Sequence, residues 1–102
     1  MSGRTTRPVA RIAPADRWFP PDVMDVVAHS DGRLVSVTVA RVRDGKSQVL
    51  MREFETAPRD TAFREICRWL RALATVDDGS GEPALDWSVD VASRIVDALS
   101  PG

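Results

Sequence analysis

His29 is the only histidine in the chain, with Asp22 and Asp25 shortly before it. Were 22–29 helical, the three would share one face. Two carboxylates and an imidazole could then hold a divalent cation or move a proton. In a strand only Asp25 and His29 share a face. No second histidine and no cysteine cluster joins them, so no metal site is assigned. His29-Ser30-Asp31 are consecutive, and a proton relay needs residues that converge from different elements. Cys67 is the only cysteine. It falls in the apolar stripe of a helix pattern, where a thiol packs rather than reacts. No phosphate-binding glycine loop, paired-cysteine motif or nucleophile elbow occurs. The expectation is therefore no catalytic residue, no metal and no cofactor.

The cations suggest different chemistry. Arg41, Arg43 and Lys46 fall together with Gln48 at the tip of a predicted hairpin, and Arg4, Arg7 and Arg11 lie in the N-terminal segment. Such groups can sit on phosphates, so nucleic acid is one candidate partner. Charge is uneven along the chain: residues 1–72 carry a net +4 and residues 73–102 a net −5. One lysine stands against thirteen arginines, and asparagine and tyrosine are absent. That bias resembles a small bacterial protein from a GC-rich genome.

At 102 residues with 43% hydrophobic side chains, one domain with one core is expected. No apolar run approaches the roughly 20 residues of a membrane span. Arg4 and Arg7 have no apolar stretch behind them, unlike a signal peptide. A lone cysteine fits a reducing compartment, so a cytoplasmic location is expected.

The elements follow from pattern. Residues 1–17 mix Gly, Thr, Pro, Ala and arginines without an apolar period and read as a disordered basic tail, followed by a single domain over 18–102. Trp18 and Phe19 beside Pro20-Pro21 read as an anchor at the domain edge. Asp31-Gly32 and Asp44-Gly45 flank alternating valines, the strongest short-range hairpin signal. With both pairs as two-residue turns, Val37 faces Val26 and Arg52, Val39 faces Met24 and Leu50, and Val35 faces Ala28 and Phe54. A three-stranded meander over 22–29, 33–43 and 46–55 results. Phe19, Val23, Val26 and Val27 also lie at helical spacing, but a helix there leaves Asp31-Gly32 unexplained.

Phe63, Ile66, Cys67, Leu70 and Leu73 form one helical stripe, capped by Thr56 or Asp60. Leu85, Val89, Ala92, Ile95, Val96 and Leu99 form a second, capped by Asp86 or Ser88. The fold class is α+β, a three-stranded antiparallel meander followed by two amphipathic helices on one sheet face.

That leaves the other sheet face bare. A solvent-facing side of a small sheet is normally polar by alternation. Here Val27, Leu34, Ala40, Val49 and Met51 fall on it, and contiguous apolar surface marks an interface. The expected function is a small non-catalytic binding or regulatory module acting through protein–protein association by this face. The expected partner is a second copy or another protein. The alternative is a nucleic-acid-binding accessory protein using the basic tail and hairpin.

Overall fold

A computed structural model describes residues 6–14, 18–74 and 81–99. The order is β1 (Arg7–Ile12), β2 (Val23–Ser30), β3 (Leu34–Arg43), β4 (Lys46–Glu55), α1 (Arg59–Ala74) and α2 (Gly81–Leu99). The α+β class is as the pattern implies, with one strand more than expected. The strands form one antiparallel sheet in the order β1-β2-β3-β4. The extra strand comes from the segment read as a disordered tail. Arg7–Ile12 pairs with β2, and the buried Ile12 lies opposite Val26. A six-residue strand holding a proline and two arginines carries no alternation that composition could reveal.

The second hairpin has the expected register. Asp44 (φ 55°) and Gly45 (φ 74°) are the two positive-φ residues that a type I′ turn needs. Val35, Val37 and Val39 pair with Phe54, Arg52 and Leu50.

The first hairpin turns one residue later than expected. Its central residues are Gly32 and Arg33, and only Gly32 has a positive φ, 98°. The Asp31 carboxylate accepts bonds from the N–H groups of Arg33 and Leu34, both at 2.9 Å. The buried Ser30 hydroxyl donates to the Leu34 carbonyl at 2.9 Å and accepts from Gly32 N–H at 3.0 Å. These bonds hold Asp31 as the last paired residue rather than as a turn centre. Pairing therefore shifts by two: Val37 faces Ala28, and Val39 faces Val26. Because side chains alternate with period two, a shift of two keeps every side chain on its face. Val26, Ala28, Val35, Val37 and Val39 are all buried.

Alternation fails at one place. The β2–β3 register shifts between Val23 and Asp25, which leaves Met24 as an extra residue. Val23 turns inward and is buried, whereas Met24, expected inside, is 56% exposed.

Both helices cover the inner face, α2 on the β1 side and α1 on the β4 side. Ala62, Ile66, Leu70 and Ala74 are the buried residues of α1, flanked by half-buried Phe63, Cys67 and Leu73. Asp60 lies in its first turn, where a carboxylate suits the helix dipole. Thr56 caps no helix: its hydroxyl is shared between the Gly32 and Arg33 carbonyls at 3.0 and 3.1 Å.

Helix α2 begins at Gly81, earlier than the expected caps, with Pro83 tolerated in the first turn. Its buried stripe is Ala84, Trp87, Ser88, Val91, Ala92, Ile95 and Val96. Leu85 and Val89, expected inside, are exposed. Ser88 instead turns inward, bonding the Leu85 carbonyl at 2.8 Å, a back-bond that satisfies a buried hydroxyl. Phe19 is the anchor of the 18–20 segment, edge-on to Trp87 with ring centroids 5.5 Å apart. Trp18 remains exposed.

Candidate functional site

Strand β2 keeps the aspartates and His29 apart. Asp25 and His29 are four positions apart along β2, about 13 Å at roughly 3.3 Å per residue. Asp25 pairs with Arg11 at 3.3 Å and Asp22 with Arg43 at 3.3 Å. Among the described residues, no three His, Cys, Asp or Glu side chains converge as a metal site would require. Cys67 is half-buried between the helices, its Sγ 3.6 Å from the Ser88 hydroxyl. No helix among the described residues is long and apolar enough to cross a membrane.

The candidate cations fall into separate places. Arg4 lies outside the described residues. Arg7 pairs with Ser30, level with Val35 on β3, and Arg43 is eight residues further along β3. That is about 26 Å away. Arg11 sits on the opposite sheet face, held by Asp25. Only Arg41, Arg43 and Lys46 come together, on the inner-face side of the β3–β4 tip. There the Arg41 Nε donates to Gln48 Oε1 at 2.9 Å. Arg52, on the same side, lies over the Phe54 ring at 5.4 Å.

The outer sheet face is different. Register stacks it in rows across the strands. One row runs Arg11, Val27, Thr38, Met51, and the next runs Asp25, Ala40, Val49. Ala40 is therefore opposite Val49 and diagonal to both Val27 and Met51, while Thr38 stands between Val27 and Met51. Val49 is 70% exposed and Met51 58%. Met24 beside Asp25, and Val42 beyond Ala40 at 38% exposure, extend the patch. Leu34 does not join it. A polar row of His29, Ser36 and Glu53 intervenes, with the Ser36 hydroxyl 3.3 Å from a Glu53 carboxylate oxygen.

Alternation in the sequence places Val42 on this face, but the position of Met24 follows from a bulge that alternation does not reveal. The arrangement offers apolar area and a backbone edge, beside the polar row of His29, Ser36 and Glu53. No protein-family model, curated protein or solved structure matches the chain.

Proposed function

We propose that this chain is a small non-catalytic binding module that works by protein–protein association through its outer sheet face. The observation that carries the reading is the exposure of Val49 and Met51, neighbours of Ala40 on a face that neither α1 nor α2 covers. Covering such side chains contributes on the order of 1 kcal/mol each at about 25 cal/mol per Å². Association entropy must be subtracted from that gain. The partner in this reading is a second copy, the two faces stacking about 10 Å apart as aligned sheets do.

Val27→Lys with Ala40→Lys is the test. Both positions belong to central strands and face outward, so the fold should survive by circular dichroism. Stacking should be lost, because four ammonium groups would meet in one layer. Sedimentation should show the drop in mass. A variant that keeps the wild-type mass rejects the outer face as the association surface.

One observation favours a second reading. Arg41, Arg43 and Lys46 share one side of an exposed hairpin tip. A duplex nucleic acid gripped there would bind less tightly as salt rises, through counterion release. Arg41→Glu with Arg43→Glu should abolish such binding and leave the fold intact. Binding unchanged by these substitutions rejects the tip as the contact.

A further inference from the structure

The two edges of the sheet are not alike. Strand β1 is short, carries Pro8, and has a register shift between Pro8 and Ala10. Proline, brevity and bulges are the usual devices that stop an edge from pairing. Strand β4 has none of these three and carries only the charges of Lys46, Arg52, Glu53 and Glu55 along its edge. It is ten residues long, without proline or glycine, and its ten pairs with β3 run without a shift. Its side chains are exposed on both faces apart from Leu50 and Phe54. All four side chains of Lys46–Val49 are exposed.

The backbone groups of β4 that point away from β3 can be assigned. In a two-residue hairpin the closing pair, here Arg43 and Lys46, exchanges both bonds. Alternation then points the N–H and C=O groups of Ser47, Val49, Met51 and Glu53 away from β3. These are the groups an added strand would meet.

We propose that a second copy of this chain adds its β4 antiparallel to this one, on a two-fold axis through Leu50, making one continuous eight-stranded sheet. In that register Val49 exchanges hydrogen bonds with Met51 of the other copy, and Ser47 with Glu53. Leu50 faces its own equivalent as a non-hydrogen-bonded pair. The most exposed apolar side chains of the outer face thus become cross-strand neighbours.

Charge favours the antiparallel sense. With the axis at Leu50, Glu53 faces Ser47 of the other copy and Arg52 faces Gln48, so no charged side chain of β4 stands directly opposite a like charge. A parallel copy in register sets Lys46, Arg52, Glu53 and Glu55 each beside its own equivalent. Arg52 does not block the edge, because its guanidinium is drawn back over Phe54.

This pairing uses backbone at an edge, so it stands independently of the stacking proposed for the outer face. Stacking and edge pairing together give a tetramer where their two-fold axes cross at right angles, and either alone gives a dimer.

Two variants of the full chain test it. Val49→Pro removes an outward N–H and costs no bond to β3, since proline is tolerated on an edge strand at such a position. Its mass by sedimentation should be half that of the wild type, with an unchanged far-ultraviolet spectrum. Leu50→Cys in a Cys67→Ala background should form a disulfide-linked dimer on mild oxidation. Non-hydrogen-bonded pairs bring Cα atoms to about 4.5 Å, within disulfide range. Met51→Cys in the same background should not cross-link, because Met51 lies opposite Val49 of the other copy. A folded Val49→Pro with wild-type mass overturns the proposal, as does a Leu50→Cys chain that stays monomeric under oxidation. Should Val49→Pro unfold, the cross-link decides. Val27→Lys with Ala40→Lys leaves the Leu50→Cys cross-link in place, which separates failure of the edge from failure of the face.

Discussion

Replacing Trp87 by alanine should cost about 3–5 kcal/mol, the usual range for emptying a buried aromatic site. That is a large share of the roughly 5–15 kcal/mol that holds a small domain folded. Trp87 is 3% exposed and is the largest side chain on the inward face of α2. Its ring meets Phe19 edge-on, at 70° between planes. Removing it therefore opens a cavity and detaches the segment that carries Phe19 and the buried Pro20. Trp87→Phe should cost far less than Trp87→Ala. Part of the ring volume is lost, but the Trp87 Nε1 is buried without a hydrogen-bond partner. Phenylalanine removes that donor, and with it a desolvation cost of about 1–3 kcal/mol. Urea unfolding followed by circular dichroism checks both. If Trp87→Ala stays within about 1 kcal/mol of the wild type, the small end of ordinary mutational effects, the inward phase assigned to α2 is wrong.

Trp87 also marks where sequence reasoning stopped short. Leu85 and Val89 are better aliphatic candidates than Ala84 and Ser88, so hydrophobicity alone phases α2 about one residue away. The structure chooses the phase that buries the indole and satisfies the Ser88 hydroxyl against Leu85. Side-chain size and local hydrogen bonding override the simpler count.

The hairpins teach the same lesson at the backbone level. Asp44-Gly45 was legible because both residues take positive φ and the strands alternate on each side. Asp31-Gly32 has the same two letters, yet its aspartate accepts backbone bonds through its carboxylate instead of entering the turn. The letters cannot distinguish these two uses of aspartate. The error was harmless for the inner face, since a two-residue slip preserves parity. The bulge at Met24 was not harmless, because it exchanges the expected places of Val23 and Met24. Most of the outer patch was legible for the reason that parity survived: Val27, Ala40, Val49 and Met51 fall in two neighbouring rows. Leu34 shares their face but not their rows, and row position depends on a register that the first turn concealed. The arginines separated because spacing in sequence says nothing of which end of a sheet a residue occupies.

The sharpest test of which face is core uses two neighbours on β3. Val39 is fully buried between Val26 and Leu50, and no cation lies opposite it. Val39→Asp would place a carboxylate among apolar side chains without a partner, at a cost of several kcal/mol. With the total near the range above, the variant should be largely unfolded at neutral pH. Its penalty should also depend on pH. Burial favours the neutral acid, so the folded-state pKa of the new carboxyl lies above its unfolded value. The ionisation part of the penalty is then absent below the unfolded pKa, grows as pH rises through the window between the two, and is complete above the folded pKa, while the cost of a neutral polar group in the core remains at every pH. Acidification should therefore narrow the gap between variant and wild type. Thr38→Asp should behave otherwise. Thr38 lies between Val27 and Met51 on the outer face, where in the unassociated chain a new carboxylate keeps its water. Only the weaker strand preference of aspartate is lost, up to about 1 kcal/mol. Thermal unfolding of both variants at neutral and acidic pH gives the answer. A stable Val39→Asp beside an unfolded Thr38→Asp would mean that the faces are reversed, and the association surface would then have to be sought on the other side of the sheet.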